Sequence, residues 1–423
     1  MKKIFKCAML LMATALLSAT LTACSDDNEN SSSDNNKKNA EANVAAMQAL
    51  TKQYLEAVVY PTYKSLADKT EELANQLADA RDAIKEDRLT DADLQQIGNT
   101  FLSARAYWEA SEAFLYGPAT TFGIDPHIDT WPLDVDALAR GLNNAAVLGK
   151  IEEVGAGELA PTLLGFHAIE FVLFRDGQLR TVAALKGKET DEAFANVDIT
   201  GIQELTYAAA VADDLMQKCF ELQVAWMGEK AGDRVALVEE EWELETQIGD
   251  DYYGDNMLNA GNAGSSYRSW QSVLVAIFNA GCSNISNEVA NTKIGNAWNA
   301  QVYDYIESPY SKKSFADFYD NILSIKNTLY GGVGLDKPSD NSLLSLAAAK
   351  NPSLASELQA KLDAALKAVS TCMQDKAFVD IVTELQAGKA TKGSYPNVQA
   401  AVDAINALDD QLQAGAKWAA EIE

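Results

Sequence analysis

Apolar side chains recur at intervals of three and four residues through most of the chain. One such stripe runs from Leu94 through Phe101 to Trp108, and a late one runs from Val398 to Leu412. This spacing places the apolar side chains on one face of an α-helix, whereas a half-buried β-strand needs strict alternation, which is nearly absent here. The pattern predicts an all-α protein in which each helix buries one face.

The length of the chain and the order of its helical segments predict two helical bundles. A long helix is expected at about 200–227, and a stretch rich in Gly and Asn follows at 248–266. Helices joined by short connections pack as neighbours in bundles, and a chain of 423 residues suits more than one domain. We assign residues 43–235 to an N-terminal bundle and residues 236–423 to a C-terminal bundle.

The first 23 residues have the composition of a signal peptide. Three lysines precede an uncharged apolar run from Ala8 to Ala23, which ends directly before Cys24. A lipoprotein signal peptidase cuts before such a cysteine, and acylation of its thiol anchors the chain in a membrane. We therefore predict a lipoprotein signal peptide at residues 1–23 and lipidation of Cys24. Ordinary secretion with a chance cysteine is the alternative.

Residues 24–42 are predicted to form the lipidated cysteine and a flexible tether. Large apolar side chains are absent from residues 25–42, so this segment cannot build a core of its own. Ser25, Asp26 and Asp27 resemble the surface-export signals of Bacteroides-type lipoproteins. We expect an outer-membrane lipoprotein, at the cell surface or facing the periplasm.

The exported part is strongly acidic. The full chain has a formal net charge of −27 and the signal peptide carries three lysines, so the remaining 400 residues carry −30. This charge argues against a nucleic-acid partner, which needs a basic surface, and it concentrates cations near the protein. Solubility alone would favour the same composition. Cys219, Cys282 and Cys372 are too widely spaced for a zinc finger, and each is predicted to be buried.

A carboxylate occupies a core-facing position at the end of one helical stripe. Continuing the stripe of Trp108 by four residues leads to Glu112, and Arg105 lies seven residues before Glu112 on nearly the same face. A buried charge is costly unless it is paired or binds a metal. Glu112 is therefore a candidate metal ligand, and the alternative is a buried ion pair, either with Arg105 or with a residue of another helix.

The segment from Leu163 to Phe174 is apolar on every side except at His167 and Glu170. Side chains three residues apart project from one face of a helix, so these two are expected to point into the protein together. An imidazole and a carboxylate one turn apart can bind one cation, and a structural hydrogen bond between them is the alternative. Gly165, just before them, would let another backbone approach closely.

The second histidine lies in a loop after the helix of Glu112. His127 is flanked there by Asp125, Asp129 and Asp134. Packed against the histidine–glutamate pair, these side chains could complete a mixed nitrogen and oxygen site. We include Asp129 as a supporting residue.

Several motifs stand together in an order that resembles the imelysin-like family, also called M75 peptidases. In chain order they are Arg105-x-x-Trp108-x-x-x-Glu112 followed by Gly117, then Trp131-Pro132-Leu133-Asp134, and then the GxHxxE pattern Gly165-Phe166-His167-Ala168-Ile169-Glu170. The resemblance implies a two-bundle helical fold and a role in acquiring iron or another metal at the cell envelope. The name of the family implies protease activity.

Carried over to this chain, the resemblance implies a metal site of Glu112, His167 and Glu170, supported by Arg105 and Trp108. Iron is the expected metal, with zinc and copper as alternatives. His127 matches no motif of the family.

Three functions stay open at this point. The first is a binding protein that holds a metal ion, or a ligand bearing one, for an uptake partner in the envelope. The second is a metallopeptidase that uses His167 and Glu170, although the H-E-x-x-H motif of common zinc peptidases is absent and no carboxylate is left to act as the base. The third is a surface interaction protein with a structural polar core. The segments 267–270 and 307–310 are interpreted as lining or packing residues.

Overall fold

The computed structural model describes residues 30–422. Within them the chain is mainly helical with almost no strand, which confirms the predicted all-α fold, and one short antiparallel ribbon pairs β1, Phe174–Arg175, with β2, Gln178–Leu179. The α-helices of the first half are α1 Asn30–Tyr54, α2 Tyr60–Lys85, α3 Asp91–Glu109, α4 Pro118–Thr121, α5 Ile124–Ile128, α6 Val135–Leu142, α7 Ala145–Val154, α8 Gly165–Leu173, α9 Val182–Lys186 and α10 Gly201–Met227.

The second half continues with shorter helices before three long ones. Its α-helices are α11 Arg234–Ala236, α12 Tyr253–Leu258, α13 Trp270–Ala276, α14 Asn284–Glu288, α15 Gly295–Trp298, α16 Ser314–Tyr330, α17 Leu343–Lys350, α18 Pro352–Cys372, α19 Phe378–Gln386 and α20 Pro396–Ala420. Tighter 3₁₀ turns lie at Glu112–Phe114, Pro161–Leu163, Glu192–Phe194, Gly228–Ala231 and Lys392–Ser394, and wider π-helical turns lie at Leu55–Val59, Leu237–Glu241, Ile277–Ser283 and Val289–Lys293.

The helix α1 begins earlier than the sequence predicts. It starts at Asn30, so residues 30–42 are helical where a flexible tether was expected. Adding residues to an existing helix costs only propagation, without the unfavourable nucleation step, and a polar segment can therefore extend a helix that is packed further along. The predicted signal peptide and Cys24 lie outside the described residues.

The N-terminal half is built around α2, α3 and α10. The helices α10 and α3 both pack along α2, and α8 packs against α10. Thr90 and Asp93 form a capping box that fixes the start of α3. The stripe predicted on α3 is buried from Leu94 to Trp108, and this burial orients the polar side chains at the end of the helix.

The C-terminal half packs α18 against α20, α13 against α20 and α16 against α18. Helices of the two halves also touch directly, because α16 contacts α3 and α1 contacts α13. One hydrophobic core cluster holds buried side chains from both halves, such as Phe101 and Phe318. The division near residue 235 stays a prediction. Between residues 30 and 422, none of the helices is long and apolar enough to cross a bilayer.

Candidate metal centre

Charged and titratable side chains from both halves of the chain converge in the protein interior. They come from the C-terminal part of α3 and the turn after it, from the residue that follows α5, from α8, from the segment between α14 and α16, and from the first turn of α16. We call this set the buried charge cluster. Its members, each at most 6% exposed, are Arg105, Glu109, Glu112, Asp129, His167, Glu170, Lys293, Glu307 and Asp317.

A glycine allows α8 to begin directly against α5. Gly165 has φ +72°, and a Cβ atom built there would lie 1.8 Å from the carbonyl oxygen of Ile128. A side chain is excluded at this position, as the sequence predicted from the close approach that glycine permits. The contact brings His167, two residues later on α8, next to Asp129 at the end of α5.

His167 lies between two carboxylates. Its Nδ1 is 3.3 Å from Oε2 of Glu170, within one helical turn as predicted, and its Nε2 is 3.2 Å from Oδ1 of Asp129. Burial alone would lower the pKa of His167, but Asp129 and Glu170 outweigh it and raise the pKa to about 9. The Nε2 contact is not aligned as a hydrogen bond, so this nitrogen remains unsatisfied among the described residues.

Glu170 is held by the other half of the chain. Its Oε1 accepts hydrogen bonds from the backbone N–H and the hydroxyl of Ser311, both at 2.7 Å. With Oε2 directed at His167, both of its oxygens are used. Glu170 therefore orients the imidazole. This arrangement matches the structural hydrogen bond between His167 and Glu170 that the sequence left open as the alternative to cation binding.

Asp129 is held in place by Arg105 and Trp108, the two side chains predicted to support the site. Oδ2 of Asp129 accepts a hydrogen bond of 2.8 Å from the indole N–H of Trp108, and Oδ1 is paired with Arg105. Burial raises the pKa of Asp129, but Arg105 and His167 reverse this effect and hold the pKa well below its usual range. Asp129 is thus ionised and rigidly positioned.

Of the two ion pairs left open for Glu112, the pair with Arg105 is absent from the described residues. Arg105 pairs instead with Glu109, one helical turn away on α3, with Asp129, and at 2.5 Å with Glu307. The reason is that α3 ends at Glu109, so the following 3₁₀ turn carries Glu112 off the helical stripe on which the prediction was based.

Glu112 instead pairs with a buried lysine from the second half, which is the other ion pair that the sequence left open. Nζ of Lys293 lies 3.2 Å from Glu112, 3.1 Å from Glu307 and 3.6 Å from Glu109. Lys293, Glu109 and Asp317 were not predicted as site residues from the sequence, and Glu307 was interpreted as a lining or packing residue. The spacing of four between Arg105 and Glu109 was a readable signal, whereas nothing local marks Lys293 or Glu307.

The buried charge cluster contains more acids than bases. Six carboxylates face two permanent cations and one imidazole. Burial raises the pKa of Glu112, Glu307 and Asp317, although Lys293 and Arg105 oppose this effect. Oε2 of Glu307 is buried and has no hydrogen-bond partner among the described residues. The interior therefore has unused capacity to stabilise positive charge.

Three sets of side chains bring potential ligand atoms within 4.8 Å of one another among the described residues. They are Asp129 with His167 and Glu307, Glu109 with Glu112 and Asp129, and Glu109 with Glu307 and Asp317. The three predicted ligands are split: His167 is in the first set, Glu112 is in the second, and Glu170 is in none. Asp129, predicted only as a supporting residue, belongs to two sets.

An open cavity of about 480 Å³ adjoins the buried charge cluster. We call it the acidic cavity. Its lining residues are Glu112, Leu115, Tyr116, Thr120, Asp125, Pro126, Asp129, Thr130, Trp131, Ala280, Asn284, Glu288 and Tyr305. Burial, with nearby Asp129 and Glu288, raises the pKa of Asp125 to about 7.

Two other residues noted in the sequence, His127 and Asp134, make contacts outside the buried charge cluster. Nε2 of His127 is 2.8 Å from Oδ2 of Asp214 on α10, and His127 belongs to none of the three ligand sets. Asp134 caps the first turn of α6 by accepting a hydrogen bond from the backbone N–H of Ala137.

The fold and the buried charge cluster define an all-α protein with an acid-rich centre contacted by both halves of the chain. The profile of the imelysin family, named as peptidase M75, matches residues 59–414, and the chain belongs to this family. The resemblance stated from the motifs is thereby confirmed.

Three similar proteins each cover most of this chain. The iron-regulated protein A of Synechococcus elongatus is 26% identical over 316 residues, which cover 75% of this chain and 73% of that protein. A crystal structure of a Parabacteroides distasonis protein, described as an iron-regulated protein A precursor, has a TM-score of 0.70 at 25% identity, covering 88% of this chain and 95% of that one. An imelysin-like protein from Psychrobacter arcticum, with a TM-score of 0.53 and 13% identity over 87% of this chain and 93% of its own, shares the fold.

Proposed function

We propose that this protein binds a metal cation, with iron as the leading candidate, through Asp129, His167 and Glu307. The observation that carries the proposal is the unsatisfied pair of buried atoms in this set, Nε2 of His167 and Oε2 of Glu307. A buried polar atom without a hydrogen bond costs free energy, and a cation that replaces the Nε2 proton of His167 and binds both atoms would remove that cost.

The donor set fits iron in its chemistry. One imidazole and two carboxylates, with further carboxylates nearby, suit a hard or borderline cation, whereas copper and zinc sites more often contain additional nitrogen or sulfur ligands. The relative from Synechococcus is named as iron-regulated, which supports the same metal. Arg105 shares Asp129 and Glu307 with the proposed site, so a metal must compete with its guanidinium.

The test is metal binding by purified wild-type protein and by three single variants. We expect stoichiometric binding in titrations with Fe³⁺ and Fe²⁺, with Zn²⁺ and Cu²⁺ as comparison metals because divalent affinity at nitrogen and oxygen sites generally rises from Fe²⁺ to Cu²⁺. Binding should be lost in His167→Ala and Glu307→Gln, while Glu112→Gln should retain the site because Glu112 belongs to another ligand set. Unchanged binding in Glu307→Gln, with circular dichroism showing a folded protein, would contradict the proposal.

A metallopeptidase is the second candidate, favoured by one feature of the acidic cavity. Glu112 lines this open space, and its Oε2 has no partner among the described residues. The sequence offered no carboxylate for the base, but Glu112 lies outside the proposed ligand set and removes that objection. Cleavage of an unfolded polypeptide that stops with a chelator and in Glu112→Gln would support this function. Cleavage that persists in Glu112→Gln would exclude Glu112 as the general base.

We further propose that the protein acts as an outer-membrane lipoprotein that passes its metal to an uptake partner in the envelope. The sequence ending at Cys24 supports this location. Cys24→Ser is expected to abolish incorporation of labelled fatty acid and to release the protein from the membrane fraction. Labelling that persists in this variant would contradict the anchor.

A further inference from the structure

The acidic cavity has a wall of one charge sign. It is lined by Glu112, Asp125, Asp129 and Glu288, and no Lys, Arg or His is present among the described residues that line it. A cleft lined by one sign of charge focuses its electric field and raises the local concentration of ions of opposite sign. Above pH 7, where Asp125 is mostly ionised, the cavity therefore attracts cations and repels anions.

The cavity leads to the proposed metal ligands. Asp129 is both a lining residue of the acidic cavity and a member of the set with His167 and Glu307. Glu112 is 6% exposed, and its only polar contact among the described residues is from Oε1 to Lys293, at 3.2 Å. Its Oε2 is left without a partner at the boundary between the cavity and the buried charge cluster.

The size of the cavity is informative about the form of its occupant. A bare metal ion would fill only a small part of about 480 Å³. Six water molecules occupy about 180 Å³ of liquid volume, so a cation with its inner hydration shell fits with room to spare. Metal chelates built from carboxylates are anionic, and the wall of the cavity opposes them.

We infer that the acidic cavity is the entry site for a hydrated metal cation, which Asp125 and Glu288 capture and Glu112 passes on towards Asp129. The inference rests on the proposed function and adds the form of metal that enters, an aquo cation, while anionic chelates are excluded. Asp125 and Glu288 act in capture and lie outside the proposed ligand set.

The probe is Tb³⁺, a hard cation whose luminescence is sensitised by nearby aromatic rings. Trp131 and Tyr305, with ring centroids 5.2 Å apart, line the cavity and supply the antenna. Stopped-flow luminescence would compare wild type, the double variant Asp125→Asn/Glu288→Gln, and a control, Glu240→Gln/Asp340→Asn, that removes two exposed carboxylates elsewhere.

At low salt we expect Tb³⁺ association to be about 3- to 10-fold slower in the cavity variant than in wild type, with a shallower salt dependence. The control should match wild type. A kinetically inert, anionic macrocyclic complex of Tb³⁺ should give no sensitised emission with the wild-type protein.

Two results would overturn the inference while leaving the proposed function intact. One is equal association rates in wild type and the cavity variant, with Tb³⁺ still bound at equilibrium. The other is binding of the anionic complex. Absence of Tb³⁺ and iron binding by wild type would overturn both the inference and the proposed function.

Discussion

At the scale of single residues, Arg105 is the main internal counter-charge of the site. Its guanidinium contacts the carboxylates of Glu109, Asp129 and Glu307 and lies 3.8 Å from Asp317. A buried ionic network contributes little net stability, but removing one of its partners costs several kcal/mol. The reason is that the remaining charges stay buried without compensation.

We therefore predict that Arg105→Met lowers the free energy of unfolding by about 3–5 kcal/mol. The matched control is Arg88→Met, because the ion pair of Arg88 with Glu86 is exposed on both sides and such pairs contribute little. Urea denaturation followed by circular dichroism measures both variants. Equal, small losses in the two would show that the buried charge cluster does not depend on Arg105.

The same scale shows what the sequence could and could not predict about the site. His167 and Glu170 were found because an apolar helix with two polar residues is a local pattern. Glu307 and Lys293 could not be found in this way, since they approach α3 only after the chain has folded over about 200 residues. Arg105 was offered as a partner of Glu112 because the helical stripe was continued beyond Glu109, where α3 ends.

At the scale of elements, the contact between α5 and α8 depends on one glycine. A Cβ at Gly165 would overlap the backbone of Ile128, and its positive φ disfavours any other residue. Backbone atoms cannot move aside as a flexible side chain can, so α8 must shift and carry His167 away from Asp129.

We predict that Gly165→Ala destabilises the protein by about 2 kcal/mol or more and abolishes metal binding. Gly149→Ala is the control, because Gly149 lies within α7 with open space around its Cβ position. The control should be neutral or stabilising by up to about 1 kcal/mol. Retained stability and metal binding in Gly165→Ala would show that the close contact is dispensable.

The helix α16 carries a carboxylate, that of Asp320, which makes the stability of the protein depend on pH. Burial raises the pKa of Asp320 to about 7, and among the described residues its carboxylate has no ion pair or hydrogen bond that opposes this effect. In the unfolded chain, Asp320 has its ordinary pKa of 3.8. Between pH 3.8 and about 7 the folded protein therefore binds one proton more than the unfolded chain does. Its contribution to stability is therefore present at low pH and lost as the pH rises towards 7.

We predict that Asp320→Asn unfolds with nearly the same free energy as wild type at pH 4 and is more stable by about 1–3 kcal/mol at pH 8. Partial exposure of the side chain limits the effect to this range. The exposed residue Asp340, changed to Asn, should show no such pH-dependent difference. A constant difference between Asp320→Asn and wild type across this range would refute the predicted linkage.

At the scale of the whole molecule, the segment 299–313 joins the two halves across the site. It supplies Glu307 to the buried charge cluster, and Ser311 to Glu170. Lys312 from the same segment pairs with Asp176 of the first half at 2.5 Å. Helical periodicity predicted the all-α fold because that signal is local, but it carries no information about which helices of one half would meet those of the other.

These contacts predict that the two halves do not fold as independent domains. A fragment of residues 43–235 would lose Lys293 and Glu307, which neutralise or share the charges of Arg105, Glu109 and Glu112, and it would expose the part of the core that α16 covers. Uncompensated buried carboxylates and exposed apolar surface both oppose folding.

We expect the fragment alone to lack a cooperative thermal transition and fixed near-ultraviolet circular dichroism. Co-expression with residues 236–423 should restore both signals and the metal binding of the intact chain, because the same contacts can form between two pieces. A cooperative transition in the isolated fragment would show that the halves are separable and that the site is assembled only when they dock.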